Sequence, residues 1–183
     1  TVRNAAGSGI RLDSEAWSYR DSYRGAVLRG NNLCAGPAYV NSHAGMYIVG
    51  AENPLVEYNR FCHYANGQAY QNCRNGVTRY NFMYDLTGKL SETAKMAGYQ
   101  TYWDAMGVEH NIFFNSDFFF NHQNGENGYT FIFRRNTFIR DGQNRYGHSD
   151  KIMSFMHKTP PPGTYLHTGN VYDCPGQAMV FDT

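Results

Sequence analysis

The chain lacks a strong excess of either charge: 16 Lys and Arg stand against 15 Asp and Glu, a formal net charge of +1. Without a global field there is nothing to steer it toward nucleic acid or an acidic membrane surface, so neither partner is expected. No apolar run approaches the roughly 18–20 residues that span a bilayer. The first residues also lack the basic start and apolar block of a signal peptide. The chain opens directly on structural sequence and reads as a processed or excised piece of a soluble protein. Its four cysteines, Cys34, Cys62, Cys73 and Cys174, form no CxxC pair, and no histidines are paired at metal-ligand spacing, so no structural zinc site is expected and no residue is singled out as a metal ligand. Phosphate-cradling glycine loops, nucleophile elbows and metalloprotease helices are missing as well. No low-complexity linker divides the 183 residues, which are expected to form one domain, 1–183.

What is there in quantity is asparagine, glycine and aromatic residues: 18 Asn, 19 Gly, 15 Tyr and 12 Phe. That composition favours strands and turns over helices. One unit recurs: VLRGNNLC around Asn31, VEYNRFC around Asn59, VTRYNFMY around Asn81, VEHNIFF around Asn111, FRRNTFI around Asn136 and LHTGNVYD around Asn170. Two residues after the Asn stand Leu33, Phe61, Met83, Phe113, Phe138 and Tyr172, all large and apolar or aromatic. The asparagines are 28, 22, 30, 25 and 34 residues apart, a period that points to a solenoid. A second β-prone segment precedes most units, at Ile10–Leu12, Met46–Val49, Ala69–Gln71, Thr101–Ala105 and Ile152–Met156, with Ala178–Phe181 at the end. Only Thr87–Ala97 reads as a short helix, placed in a loop.

This pattern of alternating apolar residues, a turn Asn and then x-aromatic resembles the right-handed parallel β-helix repeat of pectate lyases, polygalacturonases, alginate lyases, related glycoside hydrolases and phage tailspikes. The resemblance covers roughly Ile10 to Phe181 and implies an all-β fold, a right-handed parallel β-helix (solenoid) of about six to seven coils with long loop insertions. Asn tolerates the left-handed αL conformation, so each repeat Asn is expected at φ > 0 on a corner, with its side-chain amide bonded to the next in a ladder.

Other aligned positions separate inside from outside. Three residues before the Asn, the column Leu28, Val56, Thr78, Val108, Phe133 and His167 reads as inward, with Thr78 and His167 as polar exceptions. His167 is expected to be a satisfied interior histidine. Two before the Asn, Arg29, Glu57, Arg79, Glu109 and Arg134 alternate in charge, followed by Thr168. Stacked at about 4.8 Å, they would make a solvent-facing ion ladder; the functional alternative is a binding surface for a charged glycan. Cys34 and Cys62 both lie three after the Asn in adjacent coils, within reach of a disulfide, with Cys62–Cys73 as the competing pairing. A stacked pair leans toward an extracellular or cell-surface setting.

The families named above work in a groove walled by loops, which directs attention to the insertions 14–25, 63–75, 86–100, 115–129, 141–150 and 158–163. Tyr99, Tyr102, Trp103 and Asp104 set flat aromatic faces beside a carboxylate, a combination suited to a sugar ring. Glycoside hydrolysis needs two carboxyls, and Asp104 could meet Asp85 or Asp117 from neighbouring coils. A uronate lyase instead needs a base and a cation or Ca²⁺; Lys151 and His157 are its candidates here. Arg135 and His110 complete the substrate-binding candidates. The resulting expectation is an extracellular protein that binds and cleaves a polysaccharide, with hydrolysis ahead of lyase chemistry, no certain cofactor, and Ca²⁺ only in the lyase case. The alternative is a non-enzymatic β-helix of an appendage, fibre or tailspike. Both ends read as uncapped, which would mean that neighbouring sequence is missing or that another β-helix chain continues the stack.

Overall fold

In the computed structural model, the described residues are 2–3, 9–13, 23–36, 44–64, 66–71, 73, 75–86, 105–115, 120–123, 130–140, 153–156 and 164–175. They form an all-β molecule in which every strand pair is parallel, compatible with a parallel β-solenoid. No helix occurs among the described residues. The predicted helix at 87–97 and the strand at 178–181 lie outside them.

Two large sheets carry the repeat. Strands ending just before each Asn, Val27–Arg29, Leu55–Glu57, Gly76–Arg79, Ala105–Glu109, Thr130–Arg134 and Thr164–Thr168, make a six-stranded sheet in chain order. Strands just after it, Asn32–Cys34, Arg60–Cys62, Phe82–Tyr84, Ile112–Phe114, Thr137–Ile139 and Val171–Asp173, join Val2–Arg3 in a seven-stranded sheet. Of the predicted preceding segments, Ile10–Leu12, Met46–Val49, Ala69–Gln71 and, from Met153 on, Ile152–Met156 form strands; residues 101–104 of Thr101–Ala105 lie outside the described residues, and Phe120–Gln123 is a strand outside the predicted segments. Ile10–Asp13, Ala44–Val49 and Asn66–Gln71 pair in a three-stranded sheet, and Phe120–Gln123 pairs with Met153–Met156. Residues 66–71 are therefore a strand within what the sequence presents as a loop insertion.

The register places the aligned columns side by side. Leu33 faces Phe61, Phe61 faces Met83, and the row continues through Phe113, Phe138 and Tyr172. Those from Leu33 to Phe138 are at most 5 % exposed and form much of the core. Phe138 stacks on Phe113 and on Tyr172 at 4.8 Å. Opposite them, Gly9, Gly45 and Gly67 fall in one column of the three-stranded sheet. A Cβ on Gly45 would lie 2.6 Å from the Phe61 ring and 2.8 Å from the Gly67 carbonyl oxygen, so the missing side chain makes room for the aromatic.

The asparagine ladder forms as expected, but its corner residue is different. Backbone N–H and side-chain Nδ2 of each Asn both donate to Oδ1 of the next: the backbone bonds are 2.9 Å from Asn31 through to Asn170, and the side-chain bonds 3.0–3.1 Å. Nδ2 also caps a carbonyl of the preceding repeat, as Asn81 does for Val56 at 2.9 Å. Positive φ belongs to the residue before each Asn: Gly30, Tyr58, Tyr80, His110, Arg135 and Gly169, with φ between 53° and 69°. The Asn side chain is occupied inside the ladder, so the turn strain falls on its outward neighbour.

Both polar exceptions of the inward column face inside. Thr78 is 1 % exposed, donates to Gln68 Oε1 at 2.8 Å and accepts from Asn81 Nδ2 at 2.9 Å. His167 stacks on Phe133 at 4.7 Å, and its Nδ1 meets the Tyr172 hydroxyl at 2.8 Å. Its Nε2 is buried without a hydrogen-bond partner, and burial lowers its pKa. The expectation of a satisfied histidine holds for one nitrogen only. Cys34 and Cys62 form the disulfide, Cα atoms 4.6 Å apart, and Cys73 and Cys174 stand outside it. Cys73 Sγ donates instead to the Ile48 carbonyl at 3.4 Å.

Candidate functional site

Along the seven-stranded sheet the residue two after each Asn points inward, and its neighbours point out. Arg60, Phe82 and Ile112 are exposed on the outer face, with Tyr84, Phe114 and Ile139 half-buried beside them. Two αL corners flank this face. One is the residue before each Asn. The other lies four after it, where His63, Asp85 and Asn115 have φ of 61°, 50° and 49°.

Asp85 stands at that second corner. Its Oδ2 is 3.9 Å from His63 Nε2, contributed by the adjacent repeat. The His63 ring meets Tyr84 edge-on at 5.8 Å, and the Phe82 ring stacks with Tyr84 at 5.1 Å. Arg60 lies 4.9 Å over the Tyr84 ring, and its Nη2 donates to the phenol oxygen at 2.6 Å, leaving the Tyr84 O–H able to donate outward. A histidine beside a carboxylate, a phenol and a guanidinium can move a proton and hold an anion. Sequence reasoning had singled out Asp85 but missed His63, Tyr84 and Arg60. The signal was available: continuing the Asn alignment to positions +1, +3 and +4 gives Arg60, Tyr84 and the His63–Asp85–Asn115 column.

His110 and Arg135 occupy the opposite corner. The Tyr58 and Tyr80 rings stack at 5.1 Å, and His110 follows on Tyr80 at 5.0 Å, with Arg135 next in the column. The two corners are five positions apart along the chain, roughly 16 Å of extended strand. The structure thus sets Asp85 apart from His110 and Arg135. Asp104, Asp117, Lys151, His157, Trp103, Tyr102 and Tyr99 lie outside the described residues.

The charged column forms, with a correction to its exposure. Glu57 accepts from Arg29 Nε at 2.6 Å and from Arg79 Nε at 2.7 Å, and Arg134 lies 3.8 Å from Glu109. Glu57 is only 1 % exposed, so the ladder is not uniformly solvent-facing: its guanidiniums face water and cover its carboxylates. The hydrogen bond from Arg79 holds the Glu57 carboxyl below its ordinary range, burial opposes this, and Arg29 adds to the lowering.

Among the described residues, no group of three or more His, Cys, Asp and Glu side chains is placed to hold a metal ion. The Ca²⁺ of the lyase expectation therefore has no fitting donor set there, and no step is derived through it. Comparison with known proteins found no matching family model, no matching curated protein and no matching solved structure.

Proposed function

We propose that this chain is a right-handed parallel β-helix that works outside the cytoplasm, where it binds an acidic polysaccharide across the outer face of its seven-stranded sheet and cleaves it at the His63–Asp85 edge. The observation that carries the reading is the cluster of Arg60, Tyr84, His63 and Asp85 along that edge. The Cys34–Cys62 disulfide supports the compartment.

Base-catalysed elimination suits these residues better than two-carboxylate hydrolysis. At positions +3 and +4 of the repeats around Asp85, the described residues are Cys62, His63, Tyr84, Phe114 and Asn115, none of them a second carboxyl. In the proposed step His63, oriented by Asp85, removes the proton beside the sugar carboxylate. Arg60 neutralises that carboxylate, and the electron pair forms a C=C bond as the glycosidic C–O bond breaks; Tyr84 donates its proton to the departing oxygen.

The test is incubation with neutral and uronate polysaccharides, following unsaturated products by ultraviolet absorbance and reducing ends separately. Unsaturated products are expected from a uronate polymer, with kcat falling about 100-fold or more in His63→Ala. New reducing ends without unsaturation would establish hydrolysis instead. No product from any polymer, together with end-to-end assembly, would replace the enzyme with a fibre.

A further inference from the structure

The corner opposite the His63–Asp85 edge carries a second set of outward groups that the cleavage step does not use. Arg29, Glu57, Arg79, Glu109 and Arg134 are in direct register across the six-stranded sheet. The carboxylates of Glu57 and Glu109 are 1 % and 22 % exposed, whereas the side chains of Arg29, Arg79 and Arg134 are 60 %, 39 % and 48 % exposed. Alternating charge in the sequence therefore becomes, at the surface, a row of cations set two repeats apart. With adjacent parallel strands about 4.8 Å apart, that interval is about 10 Å.

The next residue in each repeat adds a parallel row. Tyr58 and Tyr80 are 57 % and 41 % exposed, and Arg135 is exposed beyond them. Because Tyr58, Tyr80 and His110 stack on one another, they offer a ligand their rims and hydroxyls, one per repeat. Tyr58 is the exception: the next corner residue is Gly30, and nothing lies within 4 Å of where a Gly30 side chain would begin. A sugar ring can stack there.

We infer that this corner is an anchoring site for an extended acidic polysaccharide carrying one anionic group per disaccharide, distinct from the cleavage edge. The inference rests on the acidic-polysaccharide reading above. The chain runs across the strands: its anions meet Arg29, Arg79 and Arg134 at every second repeat, while its hydroxyls meet Tyr58 and Tyr80 at each one. A sulfate or a carboxylate satisfies the guanidinium edge equally.

The test measures binding at about 0.15 M salt to hyaluronan, keratan sulfate, polygalacturonate, neutral dextran and oligo-dT of matched length. The probe protein is the double variant Glu109→Gln/Arg134→Gln, which leaves net charge unchanged and no charge orphaned; its melting temperature is recorded alongside. Hyaluronan or keratan sulfate should bind more tightly than the fully charged polygalacturonate and the uncharged dextran. The comparison between hyaluronan, with one carboxylate per disaccharide, and keratan sulfate, with about one sulfate and no carboxylate, tells carboxylate from sulfate. Affinity should drop about tenfold in the double variant, the loss of one charge-assisted contact, and Tyr58→Ala should weaken binding independently. Equal binding of oligo-dT or dextran, or unchanged affinity in a folded double variant, overturns the anchoring site. If uronate polymers are still cleaved in that case, only this inference fails; if no polysaccharide is bound or cleaved, the proposed function fails with it.

Discussion

At the residue scale the molecule depends on a few side chains that have no tolerable substitute. Asn81 donates to Val56 O, Thr78 Oγ1 and Asn111 Oδ1 at 2.9–3.0 Å, and accepts from Asn59 N and Nδ2 at the same distances. Its replacement by Ala strands two buried Asn59 donors and the Val56 carbonyl in the neighbouring repeat, and a buried polar group left unpaired costs about 1–3 kcal/mol. Asn81→Ala is therefore expected to lose about 3 kcal/mol in urea unfolding. Asn81→Asp should do nearly as badly, since a carboxylate cannot donate to Val56. Gly45 is constrained from the other direction: a methyl group would press on Phe61 and on the Gly67 backbone, so Gly45→Ala should cost about 1–3 kcal/mol. A loss within a few tenths of a kcal/mol in the same unfolding measurement would show that the three-stranded sheet can shift to accept it.

At the element scale adjacent repeats are tied by strand pairing, and one pair of repeats is also tied covalently. The Cys34–Cys62 bridge joins neighbouring strands across a sequence separation of 28. In the chain-entropy picture a loop of that size is worth about 3–4 kcal/mol. Thermal unfolding of Cys34→Ser/Cys62→Ser should show that loss, and reductant should destabilise the parent protein but not the double variant. Equal sensitivity to reductant in both would point away from this bridge. The same strands show how far the sequence could be read. The Asn spacing and the row from Leu33 to Tyr172 were legible because each follows from periodicity, and Cys34–Cys62 was the first of two pairings that the sequence left open. The αL corner was misplaced by one residue, because propensity favours Asn at positive φ and the ladder outweighs propensity by holding the amide inside. The candidate site was mostly hidden. Arg60 and His63 lie in one repeat and Tyr84 and Asp85 in the next, and the lateral register of those two strands brings the two pairs together.

At the scale of the whole molecule, two groups make stability depend on acidity at different places. His167 has its pKa lowered by burial, so stability present above the ordinary 6.5 is lost as pH falls toward its folded value. Glu57 is likewise lowered, from 4.5, so its contribution holds above that value and fades as pH falls through the lower folded one. Hydrogen exchange on acidification should first expose the strands Thr164–Thr168 and Val171–Asp173, and only at lower pH those around Glu57. His167→Phe should remove the first step and Glu57→Gln the second; simultaneous loss at both places would contradict this order. The Asn ladder, finally, gives the molecule a sense of direction. From Asn31 to Asn136 each Asn donates its backbone N–H and one Nδ2 proton to Oδ1 of the following one, so the row is polar from Asn31 to Asn170, like a one-way chain of dipoles. Any additional repeat, from this chain or a second copy, can lengthen that row only head to tail. A two-fold related pair would bring donor against donor or acceptor against acceptor at the junction, and self-association that extends the ladder must therefore be heterologous, producing filaments of one polarity instead of closed dimers.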